Sequence, residues 1–162
     1  MRPRTLSVAV LALLAASGAA SATESSGHYY NVPGTETKTT LPNGNISIQQ
    51  QYYHLNQSDH AADPNNAAAG SCFGNVITTK AGKVLSGSGF CYEQDDKGNG
   101  TTLSWKIDEV GTAKCPFQCG TWQYVDGYGK FKGVTGGGTW TTTHRFANGA
   151  SFGTDTGNYK MP

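Results

Sequence analysis

Asp126-Gly-Tyr-Gly-Lys-Phe-Lys-Gly-Val-Thr-Gly-Gly-Gly-Thr-Trp140 interleaves six glycines with Tyr128, Phe131, Val134 and Trp140. A helix loses about 1 kcal/mol for each interior glycine relative to alanine, so this run excludes one. Sharply bent strands joined by tight turns fit it, because glycine supplies positive φ and lets backbones approach closely.

The regions on either side have the same character. Strands are expected near 46–53, 72–79, 84–93, 101–109, 119–125, 129–134, 137–146 and 150–159. Asn148-Gly149 is a strong two-residue hairpin signal, and Asp95 to Gly100 reads as a second hairpin loop. Leu103, Trp105 and Ile107 alternate with Thr102, Ser104 and Lys106, which puts one face in a core and the other in water. Trp140, Thr142, His144 and Phe146 are expected to share the inner face of their strand in the same way. Eight short antiparallel strands give a sandwich or a barrel. The glycine-dense corner at 133–138 favours the all-β, antiparallel, about eight-stranded barrel, since closing a sheet demands tight bends.

The ends and the composition narrow the class. Arg2 and Arg4, the apolar stretch Leu6 to Ala16 and Ala20-Ser21-Ala22 read as a secretory signal peptide over 1–22, cleaved after Ala22. That stretch is shorter than the roughly 20 residues a bilayer span needs, so no membrane span is expected. Residues 23–45, with Pro33, Gly34, Pro42 and Gly44, are expected to form an extended N-terminal arm, with room for one edge strand in it, and 46–162 a single barrel domain. The chain beyond residue 22 carries ten basic and eleven acidic side chains, which leaves no electrostatic footprint for nucleic acid. The expected location is secreted or periplasmic.

Four cysteines in an exported chain favour disulfides, with three connectivities to choose from. Folding 73–79 and 84–92 back around Lys80-Ala81-Gly82-Lys83 brings Cys72 opposite Cys91. The remaining pair, Cys115–Cys119, closes a short loop. Three residues separate these last two, between strands, whereas a redox dithiol usually has two at a helix start. No metal is expected, since structural zinc needs four ligands and the cluster Asp59, His60, Asp63 with His54 matches no EF-hand. No cofactor is expected either: Gly129 to Gly138 lacks the lysine–hydroxyl ending of a phosphate loop.

From Gly127 to Trp140 the chain resembles the allene oxide cyclase-like barrel group, in which dirigent proteins and an exported bacterial branch share a fold. The shared pattern is G-x-G-[KR]-[FY]-x-G-[VAI]-x-G-x-G-[TS] before an aromatic or aliphatic strand, and Gly120 to Tyr124 and Gly87 to Tyr92 fit as well. The resemblance covers roughly residues 71 to 158. It implies an eight-stranded, calycin-like barrel with a hydrophobic cavity, and a homo-oligomer formed through the barrel wall. Among plant members the cyclases isomerise an unsaturated epoxy fatty acid, and dirigent proteins steer coupling of phenolic radicals. None of their catalytic residues aligns here.

The ligand-binding candidates are Tyr92, Trp105, Trp122, Tyr124 and Trp140, whose rings could line a cavity for an apolar or aromatic molecule, or simply fill the barrel. Glu93 and His144 are the catalytic candidates, as a carboxylate in a dry barrel or a histidine on an inner face could move protons. The expected function is non-catalytic binding of an apolar or aromatic small molecule in or at the barrel. An isomerase or cyclase acting on an unsaturated lipid-like substrate is the alternative, and a structural envelope or surface module without ligand is a second.

Overall fold

A computed structural model describes residues 21–162; the apolar part of the expected leader lies outside the described residues. Eight antiparallel strands close into one barrel in the order of the chain: β1 Thr23–Thr40, β2 Ile46–Ser58, β3 Ala68–Thr78, β4 Val84–Gln94, β5 Gly100–Val110, β6 Gln118–Tyr128, β7 Thr135–Arg145 and β8 Ser151–Lys160. Pairing of β1 with β8, from Thr23↔Tyr159 to Asn31↔Ser151, completes the ring and leaves no free sheet edge along that stretch.

Closure corrects two expectations. Residues 23–40 are not an arm. They form β1, paired to β2 on one side and β8 on the other, with a register break between Pro33 and Glu36 where proline has no N–H to donate. Residues 129–134 are not a strand either. Gly129–Phe131 is a single 3-10 turn, bounded by Gly129 at φ 63° and Gly133 at φ 81°, conformations that glycine adopts without cost. This corner drops Phe131 and Val134 into the interior, where both are buried.

The strand expected at 46–53 is longer than its sequence signal. β2 runs on to Ser58 and β3 starts at Ala68, leaving nine connecting residues. Asp63, Pro64 and Asn65 of that connection are buried rather than solvated. Asp63 accepts from Ser58 Oγ at 3.1 Å and from the Asn65 backbone N–H at 2.8 Å, which folds the loop inward. The loop and the Gly129–Phe131 turn both lie at the end of the barrel where β2, β4 and β6 finish, and they close it. The opposite end carries the β5–β6 and β7–β8 connections.

Both expected disulfides are present, Cys72–Cys91 and Cys115–Cys119. Cys72 and Cys91 are direct partners in the β3–β4 register, on the inner face. A bridge spanning 19 residues stabilises the fold by about 3 kcal/mol on a chain-entropy account. Two such bridges fit an oxidising compartment. Among the described residues no helix is long and apolar enough to cross a membrane.

Candidate functional site

The inner faces of the strands leave a cavity of about 120 Å³, large enough for roughly one aromatic ring. Its walls are set by the pleat, which sends alternate side chains inward. β2 contributes Gln50, Tyr52, His54 and Asn56; β1 contributes Tyr29 and Asn31. Trp105, Trp122 and Trp140 come from β5, β6 and β7, and the Cys72–Cys91 bridge forms part of the wall. Phe117, Gln118 and Arg145 surround the end that carries the β5–β6 and β7–β8 connections.

The aromatic walls are ordered by edge contacts. Tyr29 meets Trp140 with centroids 6.4 Å apart at 83°, and Trp122 meets Tyr124 at 5.1 Å and 80°. These T-shaped arrangements suit the quadrupoles of the rings. The Trp140 Nε1–H donates to the Thr121 carbonyl at 3.2 Å, which fixes that indole.

Polar groups concentrate toward the closed end. His54 Nδ1 lies 2.6 Å from Asn31 Oδ1, and its Nε2 lies 3.1 Å from Glu93 Oε1. Glu93 is completely buried at 0% exposure. The His54 contact is at ion-pair distance but off hydrogen-bond geometry, and neither Glu93 oxygen has a hydrogen-bond partner among the described residues. The Tyr29 and Thr142 hydroxyls are hydrogen-bonded at 2.8 Å, and burial pushes the Tyr29 phenol up to about 12. Burial likewise raises Tyr124, whose hydroxyl has no partner among the described residues, and the charges of Asp63, Glu93 and Asp155 add to the effect.

Asp155, on β8, is the titratable group with the most direct bearing on chemistry here. Burial, and then the charges of Glu93 and Asp63, push its carboxyl up to about 6, against the opposing pull of His54 and His28. An ordinary aspartate titrates near 3.9. Because the folded-state value is raised, the folded protein holds this proton more tightly than the unfolded chain. Its contribution to stability is therefore fully present below pH 4 and is lost as pH rises to about 6. About two units correspond to roughly 2–3 kcal/mol. In urea titrations from pH 4 to 7, wild type should lose stability relative to Asp155→Asn by that order, and parallel pH profiles would disprove the assignment.

The residues expected from sequence divide between inside and outside. Trp105, Trp122 and Trp140 line the cavity, and Tyr124 is buried beside it. Tyr92 is on the outer wall, 45% exposed and stacked on Tyr128. Glu93 is inside, behind His54. His144 is outside: the β7–β8 register slips between Thr142 and His144, so Thr142 points inward while His144 is exposed and tilted against Phe152. The shared inner face expected for Trp140, Thr142, His144 and Phe146 therefore ends at Thr142, and Phe146 is 56% exposed.

Sequence reasoning gave Asn56 and Asp155 no place in the site, and weighed His54 only beside the loop cluster of Asp59, His60 and Asp63. A polar period-two row, Gln50, Tyr52, His54, Asn56, Ser58, is present in the sequence and marks an inner face once β2 is extended. Asp155 stands in the same phase as Gly153 and Tyr159, both buried. His54 also lies within 4.8 Å of the Cys72 and Cys91 sulfurs, but these are joined to each other and offer no thiolate to a metal.

No protein-family model matches the chain, and no curated protein sequence matches it. Among solved structures it is similar to a pterocarpan synthase dirigent protein, with a TM-score of 0.51 and 13% identity over 88% of this chain and 92% of that one. The likeness is one of fold: the chain forms a dirigent-like eight-stranded antiparallel barrel.

Proposed function

We propose that this dirigent-like barrel binds a small apolar or aromatic molecule in its cavity, without chemical change. The observation that carries the reading is the ring-sized space bounded by Trp105, Trp122 and Trp140. Small-molecule sites are concave and mostly apolar, with a few placed polar groups. A barrel serving only as a structural module has no use for an interior left unfilled, since each void forfeits packing contacts. Export through the leader at 1–22, self-association through the wall, and affiliation with the allene oxide cyclase-like group and its exported bacterial branch belong to the same proposal. The neighbour's pterocarpan synthesis is not carried over at 13% identity.

The purified protein, exposed to indole, phenols and fatty acids, should show quenched tryptophan emission with at least one class. A ligand at a hundred times its Kd should stabilise the fold by about 2.7 kcal/mol. Trp105→Leu should weaken that binding about tenfold. No quenching and no stabilisation with any class would remove the reading.

A second reading is catalysis, by an isomerase or cyclase acting on an unsaturated lipid-like substrate. It is favoured by Asp155, a cavity carboxyl able to hold or release a proton near neutral pH. Turnover that survives Asp155→Asn would exclude this residue as the acid.

A further inference from the structure

The floor of the cavity is rich in acceptors and poor in cations. Asp155 and Asn56 both line it and are more than nine-tenths buried, and Asp155 Oδ2 and Asn56 Oδ1 have no hydrogen-bond partner among the described residues. Asn65 Oδ1, from the buried loop, is in the same state. Glu93 and Asp63 add negative charge close enough to disfavour the ionised form of Asp155. His54, the histidine among the lining residues, already faces Glu93 and Asn31, and Arg145 stands exposed at the rim. The rings of Tyr29, Trp122 and Trp140 line the same cavity. Buried carboxylates are normally paired, and aromatic walls attract cations through the ring quadrupole.

We propose that the cavity floor binds an organic ammonium ion, with the positive nitrogen near Asp155 and its apolar substituents against the aromatic walls. This rests on the reading that the cavity takes a small molecule, and it names that molecule's chemical class. A neutral apolar ligand would leave the Asp155 and Asn56 oxygens unanswered. An ammonium answers them through charge, and through N–H donors where it has them. The space admits a trimethylammonium or aminomethyl head but no large polycyclic amine.

Calorimetric titration of the whole protein with two matched pairs tests it: choline against 3,3-dimethylbutan-1-ol, and benzylamine against benzyl alcohol. At pH 7.5 each cation should bind at least tenfold more tightly than its neutral partner. Asp155→Asn should bring the preference within about twofold while retaining benzyl alcohol. Choline keeps its charge at every pH, so its affinity should fall between pH 7.5 and 5 as Asp155 takes up a proton. His54 on β2, the outward His28 on β1, Glu93 on β4 and Asp63 of the buried loop are the other charged or titratable groups that act on Asp155, and burial keeps Tyr29 and Tyr124 neutral. The Asp155→Asn comparison isolates the aspartate's share. Equal or tighter binding of the neutral partners, or an unchanged preference in Asp155→Asn, overturns the ammonium proposal and leaves the cavity reading standing. Absence of binding by all four overturns the ammonium proposal, and the cavity reading falls with it only when indole, phenols and fatty acids also fail to bind.

Discussion

Alanine in place of His54 should destabilise the protein by about 3–5 kcal/mol, the usual consequence of leaving a buried charge without its partner. Glu93 has no access to water, and His54 Nε2 at 3.1 Å is the positive-capable group beside it. Removing the imidazole also opens a void between Asn31 and the Cys72–Cys91 bridge. The charge and the void are separable. In a His54→Ala/Glu93→Gln double variant the stranded carboxylate becomes a neutral amide, so about half of the loss should return. Urea unfolding of the two variants at pH 7 measures this. A single variant within 1 kcal/mol of wild type, or a double variant no better than the single, would show that the pair does not carry buried charge.

Gly89→Ala should be nearly as damaging, by about 3 kcal/mol, through overpacking. A Cβ at this position would stand 1.9 Å from the Phe73 carbonyl oxygen, 2.6 Å from Gly74 Cα and 2.7 Å from Trp105 Cζ2. Two of these three obstacles are backbone and cannot swing aside, so β3 and β4 must separate. The third is the indole that forms one wall of the cavity. The variant should therefore lose ligand-induced quenching as well as stability. Ser88→Ala, exposed on the opposite face of the same strand, should stay within about 0.5 kcal/mol of wild type. Equal effects at 88 and 89 would refute the packing argument.

The barrel and both disulfides were legible in the sequence because their signals are local. Glycine spacing, Asn148-Gly149 and the foldback of 72–79 onto 84–93 each act within a few residues. The length of the N-terminal strand and its pairing on both sides were not legible, because Pro33, Gly34 and the polar run 35–40 belong to a part of β1 whose side chains face solvent. No hydrophobic alternation marks such a stretch, and the part of β1 that closes the barrel, Thr23–Asn31, has its β8 partners over a hundred residues away.

The site was half legible for a related reason. The three tryptophans announce themselves by type and phase. His54 and Asp155 are polar residues on inner faces, and only barrel closure makes those faces inner. His144 was misplaced because a two-residue period predicts orientation only while the register holds, and one irregularity after Thr142 reverses every later side chain.

The small loop closed by Cys115–Cys119 places Phe117 and Gln118 at the cavity entrance, and the Thr112 and Cys115 backbones tie its base with bonds of 2.8 and 3.1 Å. An entrance bordered by an ordinary connection widens and narrows as that connection breathes. Here the ring of covalent bonds takes away most of that freedom, so for the ligand proposed above admission would work as a sieve of fixed mesh. Such guests would be sorted by cross-section before any attraction inside is felt, and the cut-off should move little between cold and warm conditions.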